Sequence, residues 1–191
     1  MHSLSTDENN KDELRKYYRN ERHLRFSEES WLHILGSTEF TKAVHIAAYL
    51  SYGDEPQTTD LIAELIHDGK NIYLPRMLAD KDLEWVRWHG NPEYLTKKGK
   101  MFEPIGPALS AVEIQHIEIV IVPALHIDRE GNRLGQGGGS YDRALAVLPA
   151  WRIALVHYGE ITSELLPHES FDQRVDAAAT PDLIVRFSNP S

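Results

Sequence analysis

The residues best suited to chemistry lie between Asp128 and Arg143, in the run Asp128-Arg129-Glu130-Gly131-Asn132-Arg133-Leu134-Gly135-Gln136-Gly137-Gly138-Gly139-Ser140-Tyr141-Asp142-Arg143. Five glycines fall in the nine residues Gly131 to Gly139. Glycine lets a backbone turn its N–H groups toward one point and lets a ligand approach closely. A helix starting directly afterwards adds partial positive charge at its first turn. Together these features make an anion cradle, most often for phosphate. Arg133 can add charge-assisted hydrogen bonds, and Asp142 can hold a divalent cation that bridges phosphates. On glycine count alone, a flexible surface loop is an equal reading. Two standard phosphate motifs do not fit. No Gly-Lys-Ser/Thr ending follows the glycines. The dinucleotide fingerprint needs glycines directly after a strand, whereas about ten residues intervene here and Ser140 takes the third glycine position.

Other candidates are scattered. Lys11 and Arg15 are one helical turn apart, so both can face one ligand, or both can sit on a solvated face. Glu55 lies in Asp54-Glu55-Pro56, by itself a turn signal. Asp172 and Asp176 suit turn or cap positions as well as a charged site. Trp85 and Trp88 suit either an aromatic pocket or core packing. There are ten histidines but no His-Glu-x-x-His, which argues against zinc. With no cysteine, thiolate ligands, disulfides and cysteine nucleophiles are excluded.

These residues must be positioned by alternating strands and helices. The first ten residues are polar and expected to fray. Lys11 to Arg25 reads as a surface helix with Leu14, Tyr17, Tyr18 and Leu24 as a narrow apolar stripe. Ser27, followed by Glu28 and Glu29, reads as the cap of a second helix through Trp31, Leu32 and Leu35, stopped by Gly36. Val44–Leu50 reads as a buried strand. Thr58 or Thr59 caps a helix carrying Leu61, Ile62, Leu65 and Ile66, and a strand from Asn71 is stopped by Pro75. This β-α-β unit implies parallel strands. Glu84–His89 suits an antiparallel strand, 91–108 a loop, Ile117–Val122 the most apolar strand, Ala144–Leu148 a helix, and Arg152–His157 and Leu183–Phe187 two more strands. The predicted fold is α/β, a layered three-layer domain with a mostly parallel sheet, spanning residues 1–191 as a single domain.

The run Asp128 to Arg143 resembles the signature of the 5-formyltetrahydrofolate cyclo-ligase, or methenyltetrahydrofolate synthetase, family, roughly Asp-x-x-Gly-x-Arg-Leu-Gly-x-Gly-x-Gly-Tyr-Tyr-Asp. Lys11-x-x-x-Arg15 is similar to the family's N-terminal basic pair, and Glu55 to its folate-contacting glutamate. Leu74-Pro75-Arg76 is similar to its second strand, Glu103-Pro104 to a loop motif, and Asp172-x-x-Val175-Asp176 to its C-terminal acidic motif. The resemblance implies ATP-dependent closure of 5-formyltetrahydrofolate to 5,10-methenyltetrahydrofolate with release of ADP and phosphate. It implies Mg²⁺, and a sheet of the NagB/RpiA/CoA-transferase-like kind. The residues it implies for ATP are Lys11, Arg15, Arg133, Gly135, Gln136, Gly137, Gly138, Gly139, Ser140 and Tyr141. Glu55, Trp85 and Tyr141 are implied for folate, Asp142 and Asp172 for the metal, and Arg133 and Asp142 for catalysis.

The chain departs from the family at four positions. Ser140 replaces the first tyrosine of Tyr-Tyr-Asp and cannot stack on a pterin. Gln136 and Gly138 stand where some members carry basic residues, and Glu160 where Gln is usual. Ser140 and Glu160 motivate an alternative, a nucleotide-binding protein of the same fold with lost or altered folate activity. A sugar-phosphate isomerase or CoA-transferase-like enzyme is a further one, by fold analogy.

The 191 residues carry 20 Lys and Arg against 29 Asp and Glu, a net charge of −9. An acidic chain is a poor general binder of nucleic acid. The N-terminus lacks the apolar core of a signal peptide, and the stretch Ile117 to Leu125, broken by Glu118, is too short to span a bilayer. A cytoplasmic protein, monomeric or weakly dimeric, without nucleic-acid or membrane partners, is the expectation.

Overall fold

A computed structural model describes residues 4–26 and 28–188. Its helices are α1 (Leu4–Arg25), α2 (Thr38–Lys42), α3 (Thr59–His67) and α4 (Ser140–Val147). The strands are β1 (His45–Ala47), β2 (Asn71–Met77), β3 (Leu83–Trp88), β4 (Leu95–Lys98), β5 (Met101–Pro104) and β6 (Ile119–Pro123). They continue with β7 (His126–Asp128), β8 (Arg133–Leu134), β9 (Trp151–Leu155), β10 (Ile161–Thr162), β11 (Ala177–Ala179) and β12 (Ile184–Arg186).

The main sheet has the order β12-β11-β9-β6-β1-β2-β3. Its five inner strands are parallel, and both edges, β12 and β3, are antiparallel. Inner strands of such a sheet are covered on both faces, which is why β6 reads as an unbroken apolar run. Because side chains alternate along a strand, Ile46, Ile72, Ile121 and Ile153 face one layer, with Phe40, Leu61 and Leu65 of α2 and α3. Ala47, Val120, Val122 and Ala154 face the other, with Leu145 and Leu148 at α4. Each fully buried Ile or Leu contributes about 1.5–3 kcal/mol. The result is three layers with a mostly parallel sheet at the centre, as the alternation of elements predicted.

Several expectations need correction. Helix α1 begins at Leu4, so residues 4–10 are helical and not frayed. The expected cap Ser27 lies outside the described residues. The second helix is a short 3-10 turn over Leu32–Gly36. Thr58 stands at the N-cap position of α3, as expected, yet its hydroxyl donates to the Tyr49 carbonyl (2.6 Å) and makes no capping bond to the helix. Pro75 does not stop β2, which continues to Met77 opposite β3. The Tyr73 carbonyl accepts from Ala48 N–H, so Pro75, two residues on, turns its missing N–H toward the side where β1 has already ended. Within 91–108, expected as loop, β4 and β5 pair as an antiparallel hairpin. The strand β11 was not expected, because three alanines carry no strand signature of their own.

Candidate active site

A cleft of about 350 Å³ opens beyond the carboxyl ends of β1, β2 and β6, where α/β sheets hold their ligands. Its walls come from α1, the β1–α3 turn, the β4–β5 hairpin, the glycine loop with α4, and the segment 169–172.

The glycine loop forms one wall. Gly139, at φ 66°, takes the left-handed conformation required just before α4, and its carbonyl receives the first helical N–H, from Arg143 (3.1 Å). Gly137 has φ 102°, and a Cβ there would meet the Arg15 guanidinium at 3.3 Å. Arg15 reaches over the loop, and its Nε donates to the Gly135 carbonyl (3.1 Å). Arg19 donates from Nε to Gln136 Oε1 (2.9 Å) and from Nη2 to the Gln136 carbonyl (3.0 Å). The loop's outward carbonyls are thus engaged by arginines of α1, and Ser140 is buried in the first turn of α4.

Arg133 enters from beneath the loop. Its Nη1 donates to the Pro123 carbonyl (3.2 Å) and its Nη2 to Asp142 Oδ1 (3.1 Å). Its Nε is buried with no partner among the described residues. The guanidinium lies 5.9 Å from the Tyr141 ring centre. Asp142 Oδ1 also accepts the Gln173 N–H (3.0 Å). That contact places Asp142 beside the neighbour of Asp172, so the two aspartates converge although twenty-nine residues of chain lie between them.

Lys11 is buried and donates to Asp172 Oδ2 (2.5 Å) and Glu169 Oε2 (2.8 Å). Burial alone would lower its pKa, but hydrogen bonds to the two carboxylates outweigh this and hold it above its ordinary value. Asp172 Oδ2 also accepts Glu169 N–H (2.8 Å). Asp176 does not reach the cleft. It accepts Arg152 N–H (2.8 Å) and serves the sheet.

Glu55, Tyr49 and Tyr141 also line the cleft. Glu55 accepts Tyr52 N–H at Oε2 (3.1 Å) in a tight turn. Burial drives its carboxyl up to about 7 against the lowering pull of that hydrogen bond and of Arg22. Burial, and then the charge of Glu55, raise both tyrosine hydroxyls, so both stay protonated. Phe102 of the hairpin and Phe171 line the cleft while staying more than half exposed.

Lys11, Arg15, Glu55, Arg133, Asp142, Asp172 and the stretch Gly135 to Tyr141 are all brought to this cleft. Trp85 is not. It packs in the core with Tyr73 and Val120 and is absent from the cleft wall, so its reading as a folate contact is corrected to a packing role. Glu160 is also structural. It forms a buried fork with Arg22, Nε to Oε1 at 2.7 Å and Nη2 to Oε2 at 2.6 Å, and accepts His157 N–H (2.7 Å). Sequence reasoning missed Arg19, Tyr49 and Glu169. Arg19 was within reach, since Lys11, Arg15 and Arg19 follow at intervals of four on one helical row. Glu169 precedes Asp172 by one turn spacing. Nothing in the sequence marks Tyr49.

A model of the 5-formyltetrahydrofolate cyclo-ligase family matches residues 10–181. The chain is 30% identical over 143 residues to the 5-formyltetrahydrofolate cyclo-ligase of Escherichia coli strain K12, covering 73% of this chain and 79% of that one. It is 34% identical over 143 residues to that of Mycolicibacterium smegmatis, with coverage of 71% and 73%. Among solved structures, the 5,10-methenyltetrahydrofolate synthetase of Aquifex aeolicus is similar with a TM-score of 0.79 at 26% identity, covering 95% of this chain and 94% of that one.

Proposed function

The chain belongs to the 5-formyltetrahydrofolate cyclo-ligase family, and from that premise we propose that it closes 5-formyltetrahydrofolate to 5,10-methenyltetrahydrofolate at the expense of ATP. The carrying observation is that the cationic glycine loop and the Glu55–tyrosine wall share one cleft. A phosphoryl group passing directly between two substrates needs both in the same enclosure.

The N-formyl amide is a poor electrophile because its oxygen leaves badly. Transfer of the γ-phosphoryl group to that oxygen forms the oxygen–phosphorus bond and releases ADP. N10 then attacks the formyl carbon, phosphate departs with the former formyl oxygen, and the N10 proton is lost. The protein's part is positioning and charge stabilisation. Arg15, Arg133 and the N–H groups of Gly135 to Ser140 receive the triphosphate, with Tyr141 beside it, and Lys11 supports its charge. Buried Arg133 Nε, without a protein acceptor among the described residues, suits a phosphate oxygen. Glu55 and Tyr141 receive the pteridine end.

For Mg²⁺ the fit rests on Asp142 and Asp172. Protein donors engage Asp142 at Oδ1 and Asp172 at Oδ2. The other oxygen of each carboxylate has no partner among the described residues, and the Gln173 contact brings the two together. Mg²⁺ is commonly held by one or two carboxylates with phosphate oxygens and water, so this donor set fits. When bound, it neutralises charge developing on the phosphates.

The wider reading is a single domain over 1–191, of NagB/RpiA/CoA-transferase-like architecture, acting in the cytoplasm as a monomer or weak dimer. The lack of cysteine fits a reducing compartment, and the acidic net charge speaks against general nucleic-acid binding. Among the described residues no helix is long and apolar enough to cross a membrane. The test is absorbance of the methenyl product from 5-formyltetrahydrofolate. Product should form with ATP and Mg²⁺ and not without ATP. Nucleotide binding with no product under any condition would favour the altered-activity reading.

A further inference from the structure

Tyr49 is 5% exposed, and its hydroxyl is buried without a hydrogen-bond partner among the described residues. The side chain nevertheless lines the cleft beside Glu55. A buried, unpaired hydroxyl is costly, and a phenylalanine would fill the same space without that cost. That cost is recovered where the hydroxyl meets a partner in a bound state. Building on the folate reading above, we propose that Tyr49 is a specificity-determining residue whose hydroxyl donates to the 4-oxo group of the pteridine, while Glu55 accepts from the adjacent ring N–H and amino groups.

The chemistry of the ring sets this pairing. One edge of the oxo-pteridine presents, side by side, an amino donor, a ring N–H donor and a carbonyl acceptor. Recognition of that edge needs acceptors followed by a donor. Glu55 supplies the acceptors: Oε1 has no protein partner among the described residues, and Oε2 carries only the Tyr52 N–H. A carboxylate cannot serve the carbonyl, which would face it with like partial charge. The neighbouring phenol can, because it stays protonated and its hydrogen has no competing acceptor. A site that hydrogen-bonds a substrate group rejects the analogue that lacks it, because its own buried group is then left unpaired. An analogue with 4-amino in place of 4-oxo presents a donor to the Tyr49 hydroxyl and forces it to rotate, and its neighbouring ring nitrogen carries no hydrogen, so Glu55 loses a donor as well.

The test is Tyr49→Phe, which removes one oxygen and keeps the shape. Thermal shift and inhibition are measured with a matched pair of folate analogues, 4-oxo and 4-amino, for wild type and variant. Wild type should prefer the 4-oxo ligand. The variant should bind it about tenfold more weakly, lose about that factor from the 4-oxo/4-amino ratio while the part set by Glu55 remains, and keep its affinity for ATP. Ligand-free Tyr49→Phe should melt at or above the wild-type temperature. An unchanged 4-oxo/4-amino ratio overturns the proposal, and so does a lower melting temperature, which would reveal a protein partner for the hydroxyl. Failure of wild type to bind either analogue overturns it as well. Failure of the folate reading is distinguishable: wild type would then make no methenyl product even if it discriminates between the two ligands.

Discussion

Glu55 shows how one residue can satisfy both a bland and a functional reading. Asp54-Glu55-Pro56 is a turn, with Glu55 N–H donating to the Tyr52 carbonyl (3.3 Å) and Tyr52 N–H to the Glu55 carboxylate. The same turn carries the carboxyl group into the cleft and out of water, and sequence gives no sign of that burial. Desolvation moves its pKa from an ordinary value near 4.5 up to about 7. Between those values the folded state binds more protons than the unfolded one, so this group's contribution to stability falls as pH rises from 4.5 to 7 and is level above. Glu55→Gln removes the dependence. At pH 5 the variant should melt close to wild type, and at pH 8 it should be the more stable of the two, by at most about 3 kcal/mol. Buried His126, pushed down to about 4 by desolvation, contributes the opposite slope, but equally in both proteins, so it cancels in the difference. A gap that does not change between pH 5 and pH 8 would show that Glu55 is not desolvated.

Helix α1 is the element whose existence was legible and whose orientation was not. Apolar periodicity placed Leu14, Tyr17, Tyr18 and Leu24 inward, yet Tyr17 and Leu24 are 57% and 71% exposed. The inward row is Lys11, Arg15, Tyr18 and Arg22, at helical spacing. A rule that turns charge outward fails where the neighbouring surface offers carboxylates and carbonyls, as the glycine loop, Glu160 and Glu169 do here. Four inner strands, β1, β2, β6 and β9, were by contrast legible because a sheet covered on both faces needs apolar runs, whereas the three alanines of β11 carry no such signal. Arg22 is the strongest attachment of the helix, forked on Glu160 with Nη2 also donating to the Ala124 carbonyl (2.6 Å). Arg22→Ala would leave Glu160 buried with its charge uncompensated. The expected loss is about 3–5 kcal/mol, a melting temperature lower by on the order of 10 °C for a chain of this size. A loss below about 1 kcal/mol in chemical denaturation would mean that water reaches Glu160 and the pair behaves as a surface one.

At the scale of the whole molecule, the cleft closes a circuit between the two ends of the chain. Lys11 bonds residues 169 and 172, Arg15 and Arg19 bond the glycine loop, and Arg22 bonds Glu160 and the end of β6. The family motifs marked Lys11, Arg15, the glycine loop, Glu160 and Asp172, but only the fold shows that α1 is attached to the body largely through polar groups around the ligand cleft. Polar attachment of this kind opens more readily than a packed core, so α1 belongs to the least protected part of the molecule, and α3, whose Leu61 and Leu65 are buried in the core, to the most protected. A ligand that needs Lys11 and Arg15 in place binds only the docked form. It therefore stabilises docking by RT ln(1 + [L]/Kd), about 2.7 kcal/mol at a hundredfold excess over Kd, which slows exchange through undocking on the order of a hundredfold. Amide hydrogen exchange should accordingly be faster in 11–25 than in α3 for the free protein. With saturating ATP and Mg²⁺ it should slow by about that factor along 11–25, not only in Gly135 to Gly139, while exchange in α3 changes less. Raising salt without ligand should speed exchange in α1 selectively, because ion pairs at its partly exposed positions are screened. Protection confined to the glycine loop, with α1 unaffected, would break the link between helix docking and nucleotide binding and leave Lys11 and Arg15 as structural cations.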